Sequence, residues 1–348
     1  MNPSKRDHSG EGDIAWSTDS TGLRGMVALL LVISLGCNLA ALRIPFLSLR
    51  EGLSSEPYTL LTSVKMLWSA KLFILAFLVT AFSVCFPFAK LAVLGWVVVK
   101  KQPGAWWLGK QLGRVEQLGK WSLLDAFLVC LVMGLTSGQM LVGAEPLVGL
   151  TLFATAIILS MVSGELLAHA LLDPSDEVPP ENALAKTWGA VVLLFSGGAL
   201  TLALFMPFLQ IDDWLLANHR YSIASLVVSL AEEGALTSSL LAGTFLILTP
   251  LASWVGSVCL WFSIRSASSR RGGGWSRGLR ILRRWTMLDV FCLALGIFLL
   301  EGDYLMDTKV RSGAGFLVVV VVVQLGFQWL GEHQMIGKRI SKHSNPGL

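Results

Sequence analysis

Charge is scarce in this chain. Of its 348 residues only 14% are charged while 54% are hydrophobic, and the mean hydropathy is +0.66. Soluble domains rarely have that balance, so a water-borne globular protein is the first class to fall away. Paired cysteine is lacking too. The five cysteines, Cys37, Cys85, Cys130, Cys259 and Cys292, are odd in number, form no C-x-x-C and all lie within apolar runs. That argues against a disulfide framework or a zinc site and leaves them as small buried packing residues, with no metal or other cofactor expected. The chain has no G-x-x-x-x-G-K-[ST], which excludes a P-loop ATPase. No nucleophile–base constellation stands out, so the expectation is a protein that is not an enzyme.

What the chain has in quantity is long apolar sequence. A stretch of about 18 or more apolar residues can cross a bilayer as a helix. Eight such stretches are read here: Gly25–Ile44, Leu72–Val99, Leu123–Val142, Pro146–Leu172, Ala185–Leu209, Leu236–Ile264, Met287–Met306 and Gly313–Leu330. The last holds the valine run Val318–Val323, which would favour a strand in water. In lipid an open strand leaves backbone groups unpaired, so a helix is expected. The first 24 residues are polar and read as a solvated tail. Ser34-Leu-Gly-Cys37 faintly suggests a lipoprotein cleavage site, but a serine replaces the usual leucine, and the first span is expected to be retained.

The apolar part is written twice. Lys120-Trp-Ser-Leu-Leu-Asp-Ala-Phe-Leu-Val-Cys130 returns as Arg284-Trp-Thr-Met-Leu-Asp-Val-Phe-Cys-Leu-Ala294, 164 residues later. Pro45-Phe46-Leu47 pairs with Pro207-Phe208-Leu209, Tyr58 with Tyr221, and Pro87 with Pro250. The expected fold is an all-α integral membrane protein of eight transmembrane helices, arranged as two parallel four-helix repeats. The expected division is a polar tail (1–24), repeat 1 (25–172), a Pro-rich acidic linker (173–186), repeat 2 (187–333) and a basic tail (334–348). An even number of spans per copy makes the repeats like-facing.

Basic residues set the orientation. Lys100, Lys101, Lys110, Arg114 and Lys120 fall between spans two and three. Arg265, Arg270, Arg271, Arg277, Arg280, Arg283 and Arg284 fall between spans six and seven. Both connections lie on one side in the eight-span reading, which places them and both termini in the cytoplasm. Acids weigh little in this rule, so the acidic 173–181 connection does not overturn it. Nucleic-acid binding is not expected, because the basic residues are tied to the membrane surface.

The core W-[ST]-[LM]-L-D-x-F in both copies, Phe86-Pro-Phe-Ala-Lys-Leu91, and Tyr58-Thr-Leu-Leu-Thr-Ser-Val-Lys-Met-Leu-Trp68 resemble the paraquat-inducible protein A family. The resemblance covers roughly 25–333. It implies a bacterial inner-membrane component of an intermembrane phospholipid transport system. It also implies passage of lipid to or from a periplasmic partner with a mammalian-cell-entry (MCE) domain. Well-studied members that the chain resembles carry cysteine-pair zinc ribbons before each membrane half. This chain has no paired cysteines, so metal binding does not carry over. Two other functions remain open: a structural anchor for that partner, and a proton-coupled small-molecule transporter with its site where the repeats meet.

Several residues are candidates for transport or gating. Lys90 lies within span two, roughly 13 Å from Val99 at about 1.5 Å per residue. A lysine at that depth would gain from an acid, and Asp125 is the expected partner. Ser253 occupies the equivalent place in the second copy, so Asp289 is expected to lack such a lysine. Ser122-x-x-Asp125 and Thr286-x-x-Asp289 also fit helix caps. Pro87 and Pro250 would kink their helices or act as hinges. Arg277, Arg280, Arg283 and Arg284 are candidates for anionic headgroups, alternatively plain orientation signals. Glu165 and His169 share a helix face, but two groups alone make a poor metal site. Thr59–Trp68 has apolar residues at helical spacing and reads as a short amphipathic helix on the outer leaflet, with Ser222–Glu233 as its counterpart.

Overall fold

The computed structural model describes residues 21–51, 54–69, 71, 73–99, 120–136, 142–171, 183–212, 218–265, 278–279, 281–283, 285–302 and 308–326. In the first half, α1 (Thr21–Arg43) leads into β1 (Leu47–Glu51), β2 (Ser54–Tyr58) and the short helix α2 (Leu60–Ser69). A long interrupted helix follows: α3 (Phe73–Val79), a π-helical turn (Thr80–Cys85) and α4 (Phe86–Val99). Then come α5 (Leu124–Thr136), β3 (Val142–Pro146) and α6 (Val148–Leu171).

The second half repeats that order. It consists of α7 (Ala183–Phe205), β4 (Leu209–Asp212), β5 (Asn218–Tyr221) and α8 (Ile223–Glu232), followed by α9 (Leu236–Ala242), a π-helical turn (Gly243–Leu248) and α10 (Thr249–Arg265). It closes with α11 (Leu288–Gly302), β6 (Thr308–Val310) and α12 (Ser312–Gly326). The valine run lies inside α12 as helix, as the cost of unpaired backbone in lipid requires.

Four helical stretches are long and apolar enough to cross a membrane: Gly22–Arg43, Thr80–Val99, Val148–Ala168 and Leu236–Cys259. Ala190–Phe205 and Ser312–Gly326 are shorter apolar helices at the matching places in the second half. This is a helical, multi-pass membrane protein. The third apolar stretch ends as strand at Val142 and the fourth begins as strand at Pro146, both in β3, and Leu209 at the end of the fifth belongs to β4.

Each half therefore carries a small antiparallel sheet that the apolar pattern did not announce. The orders are β2-β1-β3 and β5-β4-β6. Leu47 pairs with Tyr58 and Pro146, and Leu209 with Tyr221 and Val310. These segments leave the helical bundle at one end, where strand pairing satisfies their backbone groups. The knots beside the sheets are duplicates. Phe46 N donates to Tyr58 O at 2.9 Å, and Phe208 N to Tyr221 O at 2.9 Å. Gly149 N donates to Pro45 O at 3.1 Å, and Gly313 N to Pro207 O at 3.0 Å. A Cβ on Gly149 or Gly313 would stand 2.6 Å from the carbonyl oxygen of Pro45 or Pro207, so both positions need glycine.

Within the first half, α1 and α6 approach closely through small residues. Ser34 Oγ donates to Ala156 O at 2.7 Å, and Ala41 and Ala156 are fully buried. Such contacts suit a lipid setting, where burial of apolar surface gives little preference for helix over tail and close packing carries the association. At the other end of α1, Arg24 Nη2 donates to Val98 O at 2.6 Å, joining α1 to the end of α4.

Candidate functional site

The halves meet along α5 and α11, the two helices opened by the repeated motif. Phe127 and Phe291, the same residue of the two copies, pack edge-to-face with ring centroids 6.3 Å apart at 87°. Phe208 packs on Phe291 in the same manner, at 5.8 Å. Gly134 of α5 admits α8: a Cβ there would lie 2.0 Å from Leu226 Cδ1. Tyr221 Oη donates to Leu135 O at 3.2 Å, so a buried phenol from repeat 2 fastens the end of α5. One continuous apolar core results, with residues from both halves.

At the end of this seam opposite the sheets, the motif becomes polar. Lys120 of the first copy forms a salt bridge with Asp289 Oδ2 of the second. The side chains are only 14% and 10% exposed. Asp289 Oδ1 is buried without a hydrogen-bond partner among the described residues. Lys120, Thr286, Asp289, Val321, Gln324 and Leu325 line a shallow surface dent. Asp289 is thus not left without a cation; its partner comes from the opposite repeat rather than from span six. Thr286 Oγ1 donates back to Leu282 O at 3.1 Å.

The aromatic flanks are duplicated as well. Phe82 lies 6.2 Å from Trp121 at 36°, and Phe245 lies 6.0 Å from Trp285 at 25°. Phe82 and Phe245 are both in the π-helical turns, Thr80–Cys85 and Gly243–Leu248. Each turn precedes a buried proline, Pro87 or Pro250. A proline lacks the N–H that would bond the preceding turn. The wider turn absorbs that loss and faces the phenylalanine toward the motif tryptophan. π-Turns of this kind recur at functional sites.

Lys90 is on α4 and 3% exposed; Ser253, its counterpart, is also buried and donates to Pro250 O at 2.9 Å. Asp125 lies in the first turn of α5, with its side chain outside the described residues, and so is the expected Lys90–Asp125 pair. Arg277, Arg280, Arg284 and His169's side chain also lie outside them. Arg283 is exposed and donates to Ser257 Oγ at 3.1 Å. Cys85 and Cys259 are exposed rather than buried, since they lie on outward faces of their helices. Sequence reasoning treated Lys120 only as an orientation signal. Its signal was present nonetheless: a basic residue precedes the motif tryptophan in both copies, five residues before the aspartate.

These features define a helical membrane protein whose duplicated motif lies at its internal seam. The family model for paraquat-inducible protein A matches residues 23–172 and 184–336, one match to each half. The chain belongs to the paraquat-inducible protein A family. No curated protein and no solved structure matches it. Membership of this family points to a membrane transport-related role.

Proposed function

We propose that this protein is the inner-membrane component of an intermembrane phospholipid transport system, working with a periplasmic MCE-domain protein. In this reading eight helices cross the membrane as two parallel four-helix repeats. Both termini face the cytoplasm, and the sheet-bearing end faces the periplasm. The observation that carries the proposal is the Lys120–Asp289 bridge, which ties the two motif copies together at the end of the seam opposite the sheets. Breaking and re-forming one such contact would let the repeats part on one side of the membrane while the Phe127–Phe291 packing holds them elsewhere. Lipid would then travel along the seam or the outer faces of the bundle. Neither recess described has room to enclose a lipid, whereas typical ligand sites hold about 300–1,000 Å³.

Those small recesses favour a second reading, in which the chain anchors the partner and moves nothing. One experiment separates the two. The protein and its partner are reconstituted between donor and acceptor vesicles, and the double variant Lys120→Met with Asp289→Leu is compared with the native chain. The transport reading expects the variant to assemble with its partner but to transfer lipid at least about ten-fold more slowly, a loss of about 1.4 kcal/mol in the rate-limiting step. Unchanged transfer by the variant would leave only the anchor.

A further inference from the structure

The two copies build the same turn after their short amphipathic helices and charge it oppositely. In repeat 2, α8 ends at Glu232 and the chain turns through Gly234 at φ +78°. In repeat 1, α2 ends at Ser69 and the chain turns through Lys71 at φ +64°. The hydrogen bonds match: Lys71 N donates to Trp68 O at 3.1 Å, and Gly234 N to Ala231 O at 3.1 Å. Glycine adopts a positive φ freely, whereas a lysine there is uncommon and strained. Repeat 1 keeps the strained residue where its own copy shows that glycine serves the turn. The turn geometry therefore does not account for the lysine.

The neighbours follow the same division. Leu61, Lys65 and Trp68 lie on one stripe of α2 at helical spacing, and all are exposed. Trp68 packs edge-to-face on Phe73 at 5.1 Å, with 60% and 51% of the two residues exposed. Lys65 and Lys71 are both exposed. The counterparts in repeat 2 are Val228 for Lys65, Ala231 for Trp68, and Glu232 and Glu233 just before Gly234. One corner is thus cationic and aromatic, the other anionic and small.

The depth of the corner is also fixed. From Phe73 to Val99 the interrupted helix runs about 40 Å at ~1.5 Å per residue, against about 30 Å of hydrocarbon and about 40–45 Å with headgroups. Trp68, Lys71 and Phe73 therefore sit at headgroup level, with Phe77 below them 72% exposed toward the acyl region. Tryptophan favours that interface, and lysines beside it attract phosphate.

We infer that the α2–α3 corner of repeat 1 is a binding site for an anionic phospholipid, with Lys65 and Lys71 on the phosphate and Trp68, Phe73 and Phe77 along the upper acyl chain. The acidic corner of repeat 2 refuses the same lipid, so the sheet end of the protein is loaded on one side only. The inference rests on the membrane setting, not on transport, and each can fail without the other.

The test uses the full chain in phosphatidylcholine nanodiscs doped with phosphatidylglycerol that bears a photoreactive group near the glycerol, with labelled peptides mapped by mass spectrometry. Phosphatidylglycerol is expected to label 60–79 in preference to 223–242, and photoreactive phosphatidylcholine to show no such preference. Lys65→Val and Lys71→Gly, each the residue of the other repeat, are expected to weaken competition by unlabelled phosphatidylglycerol about five-fold apiece. Lys71→Gly relieves strain, so retained or raised thermal stability shows that the loss is not misfolding. Equal labelling by the two lipids, or labelling indifferent to both variants, would overturn the site. Displacement by free glycerol phosphate would also overturn it, in favour of a soluble phosphate ligand.

Discussion

At the scale of single residues, the decisive group is Asp289. Its Oδ2 is held by Lys120 while its Oδ1 is buried without a partner among the described residues. Removing one member of such a pair leaves an uncompensated charge, which typically costs about 3–5 kcal/mol; replacing both by apolar groups is often neutral or stabilising. Lys120→Met alone is therefore expected to lower the melting temperature in detergent sharply, and Lys120→Met with Asp289→Leu to recover most of it. A single variant as stable as the native protein would mean that the bridge does not hold the halves together. The glycines at the helix entrances give a second expectation. A methyl at Gly149 or Gly313 meets backbone carbonyls at 2.6 Å or less, which cannot rotate away, so Gly149→Ala and Gly313→Ala should each cost about 1–3 kcal/mol by thermal melting. Gly134→Ala meets the movable tip of Leu226 instead and should cost less. The sequence displayed Asp289 as a motif member and Lys120 as a loop charge. It could not join them, because the bridge spans 169 residues and depends on how two helices cross.

At the scale of elements, the long helices were legible and their ends were not. Apolar length announces a helix in lipid with little ambiguity, and α1, α6 and α10 fall within or beside the expected stretches. The sheets escaped notice because their strands are three to five residues long and pair across more than 90 residues, as β1 does with β3. Alternation over so few positions carries almost no signal. Pro87 and Pro250 did foretell an irregularity, but not its form. Each is accommodated by a π-helical turn that presents Phe82 or Phe245 to a motif tryptophan. Restoring the missing donor with Pro87→Ala should let this stretch regularise. Hydrogen exchange over residues 80–90 is then expected to slow, and lipid transfer to fall with it. Unchanged exchange would show that the π-turn is imposed by packing, not by the proline.

At the scale of the whole molecule, the duplication is legible in the sequence itself, in the 164-residue recurrence of the motif. The same recurrence shows where the copies differ. Lys90 is replaced by Ser253 in the second copy, Gly134 by Phe298, and Lys71 by Gly234. Orientation gives the expectation at this scale. Reporter fusions at residues 110 and 275 should fall on the same, cytoplasmic side, since both lie in the lysine- and arginine-rich connections. Opposite sides would dismantle the pairing of like-facing repeats.

The edge-to-face meeting of Phe127 with Phe291 carries a consequence of its own. A side chain that touches its own counterpart is what an isologous dimer makes at its twofold axis. An ancestral half-length polypeptide could have formed the same contact with a second molecule of itself. Cut between residues 173 and 182 and made as two fragments, this chain should still find its other half.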